Sequence, residues 1–150
     1  MGLTTAPAAR CCASAWSRWN FSQVHGTVYG VFSVQEELGL RGARVASQQI
    51  AADVALAIDT TAVSDTFEQM MDGTLALGAG VGIKAMDHSL LASVAVRRKL
   101  TALAKAHNIP HQIEVFCGIG TDAGEMHKER QVCRPARCPS PRAMRIARMR

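Results

Sequence analysis

The sequence predicts an α/β domain in which helices layer on a sheet, and three observations carry this. Short apolar runs rich in β-branched residues recur at 27–34, 53–58 and 113–116. Stretches with helical spacing or helix-forming composition follow at 36–49, 90–107 and 122–130. The two kinds alternate along the chain, which is the order of a layered α/β sheet.

Residues 27–34 (TVYGVFSV) read as a buried strand, because a run apolar on both faces suits a strand covered on both sides. Residues 36–49 read as a helix whose first turns are weakened by Gly39 and Gly42. Residues 53–58 (DVALAI) read as a second buried strand, ending at Asp59. Residues 60–73 are expected to form a loop, and the Gly-rich apolar stretch 74–86 an irregular strand pair. In 90–107, Val96, Leu100 and Leu103 fall on one helical face while Arg97, Arg98 and Lys99 lie off it. Asn108 and Pro110 stop that helix. Residues 113–116 form a third strand, 118–124 a Gly-rich turn, and 122–130 a last helix. There is no internal repeat.

A chain of 150 residues fits one domain, and 48% hydrophobic content can bury a core, which excludes global disorder. No uncharged apolar run approaches the ~20 residues of a membrane helix. The first residues lack the apolar stretch of a secretory signal. Residues 1–20 are acid-free and carry Arg10 and Arg18, so a transit peptide stays open, but the expected location is the cytoplasm. The net charge of +5 invites a nucleic-acid reading, and its distribution argues against one. Residues 131–150 hold six arginines (Arg134, Arg137, Arg142, Arg145, Arg148, Arg150) and no acid, so the middle of the chain is net acidic. Cysteine follows the same division: Cys11, Cys12, Cys133 and Cys138 lie in the ends, and Cys117 alone in the middle. A zinc site or disulfides among the four are conceivable, but the spacing is loose and no histidine flanks it suitably. Both tryptophans, Trp16 and Trp19, also lie in the first twenty residues.

The chemistry centres on carboxylates. Glu36 and Glu37 stand just past the first expected strand, and Asp59 ends the second. In open α/β sheets that edge is where ligands bind. Metal-assisted hydrolysis needs acidic ligands and one further carboxylate that takes a proton from water. Adjacent glutamates can divide these roles, because their side chains diverge. A lone Glu-Glu pair more often simply opens a helix, where acids favour the dipole.

The surrounding words weigh against that simpler reading. Residues 32–43 read FSVQEELGLRGA, 57–61 AIDTT, 84–89 KAMDHS and 120–124 GTDAG. In order and spacing they resemble the deblocking, glutamyl or tetrahedral aminopeptidase family, some of whose members are labelled endoglucanases. The resemblance covers about residues 24–130. It implies an incomplete three-layer sandwich of the dinuclear-zinc aminopeptidase type, acting on peptides through two divalent ions, zinc or cobalt. It implies that Glu36 is the general base, Glu37 a ligand of one metal and Asp59 of the other. Thr121, Asp122 and Gly124 match a turn near the substrate, though a turn that needs glycine for its backbone explains the same residues. Arg41 and Asp87 match family words without an assigned role. The family forms large homo-oligomers and is not membrane-bound.

The family also uses an early His ligand, a bridging Asp in an Asp-Asp-Arg-Ala-Gly word, and a late His in an Arg-Tyr-x-His-Ser-Pro word. None is present, and His25, His88, His107, His111 and His127 read as surface or partly packed residues. A shift of reading frame at both ends would explain the gap; the alternative is that the ends are native Arg-rich or Cys-rich extensions. Codons for residues 3–12, read one frame over, can spell Asp-Asp-Arg-Ala-Gly, and those for 131–148 can spell Arg-Tyr-Ala-His-Cys-Pro. The chain is therefore expected to divide into an out-of-frame or disordered segment 1–20, a catalytic-domain fragment 21–130 and an out-of-frame Arg-rich tail 131–150. Such a fragment is expected to have little or no activity. Two other readings remain: a non-catalytic remnant that associates with full-length subunits, and a basic-tailed nucleic-acid-binding protein supported by the Arg-rich end alone. Sequencing of the gene across both junctions is expected to find the missing words in the shifted frame; clean reads without them would end the frameshift idea.

Overall fold

The computed structural model describes residues 5–50, 52–63, 65, 74–128 and 142–148. The order is α1 (Thr5–Ser17), a 3-10 turn (Phe21–Gln23), α2 (Arg41–Gln49), β1 (Val54–Thr60), β2 (Val81–Asp87), α3 (Val94–Ala106), β3 (His111–Phe116), α4 (Asp122–Lys128) and β4 (Arg142–Arg148). The four strands form one sheet of order β1-β4-β2-β3. β1 runs parallel to β4, β2 parallel to β3, and the two pairs meet antiparallel between β2 and β4. Ile58, Ile146, Ile83 and Ile113 stand in one row across the sheet. The α/β expectation holds.

Several expected elements fall where the sequence placed them. The DVALAI run becomes β1, with Asp59 one residue from its end. The 90–107 helix becomes α3, and Val96 and Leu100 pack against the core. Leu103, expected on the same face, is exposed, and Ala104 takes the buried place. Asn108 adopts a left-handed backbone just past the helix, before Pro110.

Others differ. Residues 27–34 form no strand and are not buried: Phe32 is 62% and Val34 68% exposed. A strand needs a neighbour for its backbone groups, and no described strand pairs with this run. Glu36 and Glu37 consequently follow an extended connection rather than a strand. The helix expected from residue 36 starts only at Arg41. Gln35, Gly39 and Leu40 all have positive φ, which turns the chain before the helix can begin. The stretch 74–86 holds one strand, β2, not a pair. Its first residues are held to β3 by Thr74 Oγ1 donating to the Ile113 carbonyl and by Gln112 bridging Ala76. Within 1–20 the described part is α1, and within 131–150 it is β4. Cys133, Cys138 and most of the expected 60–73 loop lie outside the described residues.

The core is small and built largely of alanine: Ala57, Ile83, Leu90, Ala92 and Ala123, with Ala55, Val96, Leu100 and Met126 against it. Val54, Leu56 and Ile58 alternate with it and stay on an exposed face of β1, so this strand is buried on one side only. No described helix is long and apolar enough to cross a membrane.

α2 fixes the Glu36–Glu37 turn through its second residue. The Gly42 amide donates to the Val34 carbonyl at 2.9 Å, and a Cβ on Gly42 would overlap the Val34 backbone itself. The Leu40 amide, donating to the Glu36 carbonyl at 2.8 Å, closes the turn. Because backbone cannot swing aside as a side-chain tip can, Gly42→Ala is expected to destabilise the fold by about 1–3 kcal/mol. Thermal unfolding by circular dichroism checks this, and a melting temperature equal to the parent's would show that the turn is not so constrained.

Candidate functional site

The Glu36–Glu37 turn and the end of β1 face a common cleft of about 590 Å³. Its lining includes Glu36, Glu37, Leu40, Asp59, Thr61 and Gly120. The three carboxylates singled out by sequence thus border one cavity, although they come from a turn and a strand 22 residues apart in the chain. Glu36 and Asp59 are half-buried and Glu37 is exposed. Asp59 also accepts a hydrogen bond from the Thr60 amide at 2.7 Å.

Thr121, Asp122 and Gly124 do not line this cleft; their neighbours Ile119 and Gly120 do. Thr121 is buried and donates Oγ1 to Asp87 Oδ2 at 2.9 Å, while its amide donates to Ser89 Oγ. Asp122 opens α4 and accepts a hydrogen bond from Ser33 Oγ, which ties the start of α4 to the segment leading into the Glu36–Glu37 turn. Gly124 sits on Ser89, where a Cβ would collide with the serine side chain and crowd its carbonyl. In this structure the glycine therefore serves close packing of α4.

Sequence reasoning gave Asp87 no role and passed over Lys84 and Glu114. The structure makes these three the polar heart of the sheet. Lys84 is 0% and Glu114 1% exposed, and Lys84 Nζ lies 2.6 Å from Glu114 Oε1. Register explains the pairing, since Lys84 stands opposite Glu114 in the β2–β3 ladder. A bulge between Lys84 and Met86 then shifts the alternation of side chains, which brings Asp87 to the same face. Its Oδ2 lies 4.0 Å from Nζ. The signal in the sequence was a lysine inside an otherwise apolar strand, a place where an unpaired charge is costly.

Of the histidines, His25, His88 and His107 are exposed, and His111 Nδ1 contacts the Ile109 carbonyl at 3.0 Å. Cys11, Cys12 and Cys117 are not in disulfides. Among the described residues, no group of three or more His, Cys, Asp or Glu side chains stands close enough to share a metal ion. The carboxylates at the cleft are of the hard-oxygen type that divalent cations prefer. The donor kind fits a cation; the donor number does not.

Comparison with known proteins decides the lineage. The model of the M42 glutamyl aminopeptidase family matches residues 11–139. The chain belongs to the M42 family. A protein of Acetivibrio thermocellus is 42% identical over 100 residues, covering 67% of this chain and 30% of its own length. The lysyl aminopeptidase of Pyrococcus furiosus is 37% identical over 105 residues, covering 69% of this chain and 29% of its own. The solved PhTET1-12s, a dodecamer in the asymmetric unit, superimposes with a TM-score of 0.74 at 26% identity, covering 99% of this chain and 41% of that one. The chain therefore carries an incomplete M42-type α/β fold, and it spans about 30% of the length of the two curated relatives.

Lys84→Met would leave Glu114 and Asp87 buried without their cation. Breaking such a pair typically costs about 3–5 kcal/mol, enough to abolish a cooperative urea transition in a small domain. Glu125→Ala removes the surface pair with Lys128, whose side chain is 56% exposed, and is expected to change stability by less than about 1 kcal/mol. Equal urea midpoints for the two variants would contradict the buried-pair account.

Proposed function

We propose that this chain is a catalytic-domain portion of a metal-dependent aminopeptidase that removes N-terminal residues from peptides. The observation that carries the reading is the shared cleft of Glu36, Glu37 and Asp59. Glu36 is assigned as general base, holding the proton taken from the attacking water. Glu37 and Asp59 are assigned as ligands, one for each of two divalent ions, zinc or cobalt. In a site completed by further ligands, such a pair of ions would supply acidification of water and polarisation of the scissile carbonyl. Ile119 and Gly120 would form the nearby wall against the peptide, and Thr121, Asp122 and Gly124 would hold that wall in place.

Two acidic ligands fall short of the three or more that a catalytic metal site requires. We therefore assign the chain as given little or no turnover, with segments 1–20 and 131–150 as the out-of-frame ends that replace the missing ligand words. PhTET1-12s forms a dodecamer in the asymmetric unit. By that likeness, association with full-length M42 subunits is the role left to an inactive copy, in the cytoplasm. The exposed apolar side of β1 suits burial against further protein.

The purified chain, assayed with zinc or cobalt on aminoacyl-nitroanilides, is expected to match the blank. A gene with both frames restored is expected to gain chelator-sensitive turnover. In that background Glu36→Gln should lower kcat by about a hundredfold or more, as loss of a general base does. Strong turnover by the unrestored chain would refute the incompleteness, and a restored protein without peptidase activity would refute the aminopeptidase assignment.

A further inference from the structure

The cluster around Lys84 reaches the cleft on two sides. Thr61, which lines the cleft two residues beyond Asp59, donates Oγ1 to Glu114 Oε1 at 2.7 Å. That same oxygen is the one 2.6 Å from Lys84 Nζ. On the other side, Asp87 Oδ2 faces Nζ at 4.0 Å and accepts from Thr121 Oγ1 at 2.9 Å. Thr121 directly follows Ile119 and Gly120, which also line the cleft. We infer that Lys84, Glu114 and Asp87 are positioning residues. Through one buried ammonium they fix the cleft segments 59–62 and 119–120 relative to each other.

A buried lysine that needed only a counter-charge would be served by Glu114 alone. Here each carboxylate turns the oxygen nearest the ammonium toward a threonine hydroxyl on a different segment of the cleft. Thr61 is half-buried beside the cavity, where water could meet its hydroxyl, yet the hydroxyl bonds inward. Linked hydrogen bonds around a buried charge polarise and strengthen one another, so loosening one end should be felt at the other. Ser89 reinforces the second arm, donating Oγ to Asp87 Oδ1 at 3.0 Å and accepting the Thr121 amide at 3.2 Å. The inference leans on the aminopeptidase reading only in treating the cleft as the working site.

Amide hydrogen exchange on the metal-free chain tests it. Thr61→Val and Thr121→Val each remove one hydroxyl and leave the buried charges intact. Each is expected to speed exchange by about fivefold or more in its own segment, the effect of losing one hydrogen bond. Each should also speed exchange measurably in the other segment, while α3 keeps its protection. The double variant should fall short of the sum of the two, as coupled sites do, and Thr61→Ser should restore the parent pattern. Changes confined to the mutated segment, or spread evenly over every amide, would overturn the inference. Cobalt(II) titration of the parent, read by visible absorption, addresses the metal reading separately. Coupled exchange in a chain that binds no cobalt would count against the metal site and leave the positioning role standing.

Discussion

The burial of a single ammonium group at Lys84 is the constraint around which the sheet is organised. A charge removed from water is tolerable only when paired and hydrogen-bonded. The β2–β3 register sets Glu114 opposite it, and the β2 bulge brings Asp87 to the same side. Neither feature is decorative once the lysine is inside. A one-residue slip would turn either the ammonium or its partner to the opposite face of the sheet. The hydrophobic core beside it is mostly alanine and gives modest burial per residue, so specificity of register falls heavily on this polar cluster.

The candidate site divides between two kinds of scaffold. Asp59 is held by a strand whose direction is fixed by its ladder with β4. Glu36 and Glu37 are held by a turn, and its shape depends on left-handed residues and on Gly42 lying against Val34. A turn of that kind keeps its geometry only while its contacts persist. Much of what surrounds it, from Tyr29 to Leu38, is apolar and exposed.

Legibility followed the range of the interactions. β1, α3, β3 and the start of α4 were readable because local periodicity and stop residues define them, as with Asn108 and Pro110 behind α3. The run 27–34 was misread because strand composition is necessary for a strand and a pairing partner is also necessary. The start of α2 was misplaced because the left-handed Leu40 carries no composition signal. At the site, Glu36, Glu37 and Asp59 could be chosen from residue chemistry and family words. Lys84 and Glu114 could not be joined from sequence, since their contact arises from strand register 30 residues apart. Ser89, with which a Cβ on Gly124 would collide, likewise comes from a distant part of the chain.

The aromatic cluster at the end of α1 has a practical consequence. Trp16 and Trp19, the two tryptophans of the protein, lie with Phe21 at centroid separations of 5.1–6.4 Å, and the Trp16 ring rests on Gly30. None of these residues lines the cleft. Intrinsic emission from this protein is therefore a local reporter of the joint between α1 and the segment around Gly30. A quencher or a shift in emission maximum would register that joint opening while the sheet and its buried lysine remained intact.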